Sequence, residues 1–114
     1  KAGISNHEIV NLWYVYIMTN KANGVLYVGC TNNIEERVKE HKLKIYPTSF
    51  TAKYNCDKLI YFEEYNEGII ASKRESQLKK WKRDWKIKLI EDMNPSWSNL
   101  SMNWNLNFNK LRNE

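Results

Sequence analysis

Residues Trp13 to His41 read WYVYIMTNKANGVLYVGCTNNIEERVKEH. Trp13–Met18 is aromatic and β-branched, which marks a strand and places Tyr16 on it. Thr19–Gly24 (TNKANG) is turn chemistry, and Asn23-Gly24 suits a positive φ. Val25–Gly29 is a second strand carrying Tyr27, and the short connection makes the pair antiparallel. Asn32 then opens a helix, because Asn32 and Glu35 have the spacing of a capping box. Ile34, Val38 and His41 follow at i, i+4 and i+7 on one face. Arg37 lies about 60° off that stripe at ~100° per residue. It stands on the shoulder of the buried face, where a side chain can enter a cleft. Packing of an apolar hairpin and helix requires neither Arg37 nor His41.

Working outward, residues 1–12 lack a clean period and read as a partly ordered lead-in. Leu43–Asp57 is irregular, contains Pro47, and has a basic and aromatic centre in Lys53-Tyr54. Lys58–Tyr65 (KLIYFEEY) is a third strand. Gly68 breaks the chain before a second helix, Ile69 to about Trp81. Ile70, Ala71, Leu78 and Trp81 define its apolar arc; Arg74 falls inside that arc and Glu75 on its shoulder. Charges there must be paired or face a cleft. A third helix spans about Arg83–Met93, with Trp85, Leu89 and Ile90 on one face, and stops before Pro95. In the tail, Leu100, Met102, Trp104, Leu106 and Phe108 alternate as a strand would, yet Trp97, Leu100, Trp104, Phe108 and Leu111 also fit a helix. Six Asn between Asn99 and Asn113 weaken both. The expectation is a short helix to about Trp104 and a loosely packed end. The fold class is α/β (α+β): a small three-stranded antiparallel sheet flanked by helices. The domain is expected over residues 13–97, with 98–114 as a C-terminal tail.

The chain has 114 residues, the length of one domain. No apolar run approaches the ~20 residues of a membrane span, and no signal-peptide pattern is present. Cys30 and Cys56, isolated in a mixed α/β pattern, read as reduced thiols of a cytoplasmic protein. A zinc site is disfavoured, since only His7 and His41 could complete it. The net charge of +5 is concentrated. Residues 72–88 (SKRESQLKKWKRDWKIK) hold eight Lys or Arg against two acids, net +6, so the remainder carries −1. With Trp81 and Trp85 interleaved, such a patch suits backbone phosphates. A solvated face of snorkelling lysines is the alternative.

One ordered set gathers these features. Tyr14-Val15-Tyr16-Ile17 is followed by Tyr27-Val28-Gly29, then Arg37, then His41 one turn on, then Glu75 within Lys73-Arg74-Glu75. This set resembles the GIY-YIG nuclease superfamily, and within it the small, single-domain bacterial members. The similarity extends through Lys80-Trp81-Lys82-Arg83 to Asn94-Pro95-Ser96-Trp97. Tyr14 and Val15 stand where the first motif has glycine and isoleucine; the tyrosines, the second glycine, the arginine and the glutamate remain in order.

The resemblance implies an endonuclease that hydrolyses DNA phosphodiester bonds with one divalent ion, Mg²⁺ or Mn²⁺. The catalytic set it implies is Tyr16, Tyr27, Arg37, His41 and Glu75, with Glu75 as metal ligand and Gly29 as a structural motif residue. Mg²⁺ accepts a single carboxylate and keeps waters and phosphate oxygens. Arg37 suits a phosphate clamp through its planar donor fork. Tyr16 would orient or deprotonate the water, and His41 would relay its proton or support Arg37. Lys53, Arg74, Lys79, Lys80, Lys82 and Arg83 are the candidate nucleic-acid contacts. Each residue also has an ordinary role: strand tyrosines pack, a core-facing histidine is often satisfied there, Arg37 can pair with Glu36 or Glu40, and Arg74 can form an internal ion pair. The alternative function is a non-catalytic nucleic-acid-binding module, and a third is a protein-interaction domain using Trp97 and Trp104.

Overall fold

The fold is built on a hairpin and a third strand laid against it. The structure is a computed structural model and describes residues 11–104. Strands β1 (Trp13–Thr19), β2 (Leu26–Thr31) and β3 (Lys58–Tyr65) form one antiparallel sheet in the order β2-β1-β3. Asn23 turns the hairpin at φ 58°, the left-handed conformation its side chain tolerates. Helices α1 (Ile34–Leu43), α2 (Phe50–Lys53), α3 (Gly68–Lys80) and α4 (Arg83–Met93) flank the sheet. Among the described residues no helix is long and apolar enough to cross a membrane. The expected lead-in over residues 1–12 and the end of the tail fall almost wholly outside the described residues.

Side chains alternate across the sheet, so β1 feeds two cores. Val15 and Ile17 pack with Val28, Ile60, Leu78 and Ile90 beneath α3 and α4. Tyr16 and Met18 pack on the opposite face with Ile34, Val38, Cys56 and Leu59 beneath α1. Ile17, Leu78 and Ile90 are each fully buried, a contribution of roughly 1.5–3 kcal/mol apiece. Cys30 and Cys56 are free thiols.

Four local expectations are corrected. The cap of α1 is Asn33 rather than Asn32, and its side chain accepts from the Glu36 backbone N–H. Thr31 Oγ1 accepts from the Asn33 N–H at 3.1 Å, which holds Asn32 in the preceding turn. The stretch read as irregular contains α2, capped by Ser49, whose hydroxyl accepts from the Ala52 N–H. Ile70 and Trp85 are not core residues: they are 49 % and 54 % exposed, because Ala71, Leu78 and Ile90 already fill the contact with the sheet.

The fourth correction concerns residues 98–104, which form turns rather than a helix. Asn99 Oδ1 accepts from the N–H of Leu59 and from the backbone and hydroxyl of Ser101. These bonds stabilise a turn at the helix's expense. The Leu100 N–H also donates to the Leu59 carbonyl at 2.7 Å. Buried Asn94 donates to the Ile60 carbonyl at 2.9 Å and binds Ser98 through both ends of its amide. Together they staple the outer edge of β3. Trp97 joins one core, while Leu100 and Trp104 pack on the other.

Candidate active site

Tyr16 sits directly opposite Gly29 in the β1–β2 register. A Cβ on Gly29 would lie 2.5 Å from both Cζ and the hydroxyl of Tyr16. Glycine is therefore required for the phenol ring to lie across β2. Tyr16 is fully buried. Its hydroxyl lies 2.9 Å from His41 Nε2, and His41 Nδ1 lies 2.8 Å from the buried hydroxyl of Thr51. Tyr27 stands beside both rings, with centroids 6.3 Å from Tyr16 and 5.5 Å from His41, and it stacks on Phe50.

Burial pushes the Tyr16 phenol well above its ordinary range, and a nearby Tyr27 adds to this. The Arg37 guanidinium beside it opposes the rise, while Glu75 reinforces it. Tyr27, Arg37 and Glu75 thus all act on one hydroxyl. Burial, with Arg37 adding repulsion, lowers His41 from 6.5 to about 4. The imidazole is neutral at physiological pH, so one ring nitrogen is free to accept a hydrogen bond.

That depression fixes a dependence of stability on pH. The unfolded chain binds the His41 proton near 6.5 while the folded chain binds it only near 4. Between these values the unfolded state holds more protons, so stability falls as pH falls from about 6.5 to 4. The titratable neighbours are Tyr16 on β1, Tyr27 on β2 and Arg37 on α1 itself. His41→Asn is expected to flatten this part of the Tm-versus-pH curve in thermal denaturation. An unchanged slope would refute the assignment.

Arg37 is partly exposed, and its Nε lies 3.1 Å from Glu40 Oε1. This contact is an ion pair by distance without hydrogen-bond alignment, since Glu40 Oε1 is buried and receives no hydrogen bond. Arg37 therefore has a partner but is not locked to it. Glu75 projects from α3, on the other side of the sheet from Tyr16. Its Oε2 pairs with Lys79 at 2.9 Å, and its side chain is 22 % exposed. Cys30, on the outer strand β2, feels Glu75, Lys79 and Arg37 together, and burial raises its thiol. The two halves of the site consequently meet around the outer edge of β2.

Among the described residues no group of three or more His, Cys, Asp or Glu could hold a metal ion. A closed site of protein ligands is not built here. A single carboxylate with one oxygen held by Lys79 fits an ion that keeps most of its waters.

The candidate nucleic-acid contacts divide. Lys53 and Lys80 are exposed. Lys79 holds Glu75, and the Lys82 ammonium lies 5.7 Å from the Trp85 ring centre. Arg83 donates to the carbonyls of Asn23 and Gly24, bracing the hairpin turn. Arg74 donates two hydrogen bonds of 2.9 Å to Glu63 and a third to Gln77, and lies over Trp81. Burial raises the Glu63 carboxyl, but hydrogen bonds from Arg74, Tyr61 and Tyr65 outweigh it and hold the group below its ordinary range. Arg74 thus serves an internal ion pair. Asn94 is likewise a staple of β3 and the following loop.

The GIY-YIG catalytic domain matches residues 12–88, spanning both tyrosine strands, Arg37, His41 and Glu75. The chain belongs to the GIY-YIG family. This is a nuclease family, and its relatives here are UPF0213 proteins. One from Syntrophus aciditrophicus is 38 % identical over 68 % of this chain and 88 % of its own length. Another, from Clostridium perfringens, is 36 % identical over 82 % of this chain and 98 % of its own. The solution NMR structure of UPF0213 protein BH0048 from Bacillus halodurans aligns with a TM-score of 0.49 at 22 % identity, covering 81 % of this chain and 97 % of that one.

Two neighbours in this GIY-YIG site escaped the motif reading. Cys30 follows Gly29, and strand alternation places it on the Glu75 side of β2. Thr51 lies in the stretch read as irregular, where Ser49 was the available signal for a helix start.

Proposed function

We propose that this GIY-YIG protein is an endonuclease that hydrolyses DNA phosphodiester bonds with one divalent metal ion, Mg²⁺ or Mn²⁺. The observation that carries it is the Tyr16 hydroxyl, hydrogen-bonded to a neutral His41 and subject to the charges of both Arg37 and Glu75. Glu75 would hold the ion. When bound, the ion supplies charge neutralisation at the phosphate and at the leaving oxygen.

The protein groups do the rest. Arg37 donates to phosphate oxygens through its fork. Tyr16 is shielded from solvent, so the attacking water reaches it only when a neighbour moves. Arg37, which is partly exposed and lacks an aligned bond to Glu40, is the side chain free to swing. Tyr16 then orients the water, and His41 Nε2 takes the phenol proton as the phenol takes one from the water. Tyr27 positions the phosphate or water by hydrogen bonding. Lys53 and Lys80 are exposed for contact with the nucleic-acid backbone.

The test is incubation with single-stranded, duplex and branched DNA in Mg²⁺ or Mn²⁺. We expect cleavage that a chelator stops and added metal restores. A second reading, a module that binds nucleic acid without turnover, is favoured by one observation: Lys79 holds an oxygen of Glu75. Salt-dependent binding with every substrate left intact in both metals would establish it and overturn the nuclease.

A further inference from the structure

His41 makes two ring contacts, and their directions are not independent. A Tyr16 phenol keeps its proton at neutral pH, since even an exposed phenol titrates near 10. Arg37, which approaches the Tyr16 oxygen, can only donate. The acceptor for the Tyr16 proton is then His41 Nε2, at 2.9 Å. A neutral imidazole has one N–H, so it must sit on Nδ1, where the Thr51 hydroxyl oxygen lies 2.8 Å away. Thr51 is 3 % exposed, so water does not replace it. Its own proton has an outlet in Ser49 Oγ at 3.3 Å. The N-cap of α2 thereby anchors the chain of donors that begins at Tyr16 and ends at Ser49.

We propose that Thr51 is a positioning residue that fixes His41 in the Nδ1–H tautomer, leaving Nε2 as the acceptor for the Tyr16 proton. In free histidine the Nε2–H tautomer predominates, so this site must impose the other one. A hydrogen bond at one ring nitrogen is the ordinary means of doing so. With Nε2–H the imidazole would donate to Tyr16, and the phenol proton would have no route onto the ring. The role in cleavage rests on the nuclease reading; the tautomer does not.

The decisive measurement is long-range ¹H–¹⁵N NMR of the imidazoles at pH 7, without DNA or metal. The chain has only His7 and His41, so the spectrum of His41→Asn assigns the signals. Wild type is expected to show His41 as Nδ1–H. Thr51→Val keeps the shape and removes the hydroxyl, and is expected to shift His41 toward Nε2–H. Thr51→Ser is expected to retain Nδ1–H. In cleavage, Thr51→Val is expected to lower kcat about 10–100-fold, the usual scale for losing such a supporting bond, with KM nearly unchanged and Ser restoring most of the rate. Nε2–H in the wild type would overturn the proposal without any variant having to fold. So would a Val variant that keeps Nδ1–H. If the tautomers behave as expected and the wild type cleaves nothing, the nuclease reading fails and the Thr51 assignment stands.

Discussion

Glu75→Gln is expected to cut DNA cleavage by at least about 10³-fold while leaving the fold intact. Glutamine keeps the volume and the hydrogen-bonding reach of the side chain but removes its charge. Stabilisation of a phosphoryl transition state by a bound ion is worth several kcal/mol, and ~4 kcal/mol corresponds to about three decades in rate. Among the described residues no cluster of other ligands stands by to keep the ion in place. The structural cost is small, because what is lost is a partly exposed i,i+4 pair with Lys79, worth at most about 0.5 kcal/mol. Tm should therefore hold while turnover collapses, and DNA affinity measured in chelator should hold or rise. Steady-state cleavage beside a thermal melt checks both. Activity that survives the substitution would mean that a contaminating nuclease was being assayed.

Gly29→Ala is expected to damage the site through a single methyl group. The new Cβ would meet the Tyr16 ring at 2.5 Å, well inside contact distance. The ring cannot rotate clear, since Tyr16 is fully buried and its hydroxyl is tied to His41. Overpacking of this kind costs about 1–3 kcal/mol. Displacing the phenol by ~1 Å is expected to cost on the order of 10²-fold in cleavage. Near-ultraviolet circular dichroism should report the changed tyrosine environment, with turnover measured well below the lowered Tm. Full activity in a folded variant would show that Gly29 serves only the backbone.

The hairpin was legible because strand and turn chemistry alternate cleanly from Trp13 to Gly29, and the third strand because Lys58–Tyr65 is a compact aromatic and aliphatic run. The Tyr16, Tyr27, Arg37, His41 and Glu75 set was legible as an ordered pattern. Its division between two sides of the sheet was not, because that depends on which face α3 covers. Ile70 misled for the same reason. It lies on the apolar arc of α3, yet the sheet accepts only Ala71 and Leu78 there. Basic residues at 72–88 were visible as a block, but composition does not reveal that Arg74 is held by Glu63 or that Arg83 braces the hairpin turn. Those pairings are tertiary. Residues 98–104 defeated a periodicity argument because the side chain of Asn99 competes with helical hydrogen bonding. Thr51 was hidden in an apparently structureless stretch, although its neighbour Ser49 carries the local signal.

The staple on β3 has a meaning for how the protein is made. Chains leave the ribosome from the N-terminus, and the groups that close the outer edge of β3 arrive late. Asn99 lies 40 residues after the Leu59 N–H it satisfies, and Leu100 follows it. A nascent chain that has released all three strands still exposes unpaired backbone along one of them. Such edges recruit strands from other chains. The segment from Asn94 to Leu100 thus acts as a closing step of biosynthesis: until it emerges, the sheet is complete in sequence and open to association with its neighbours.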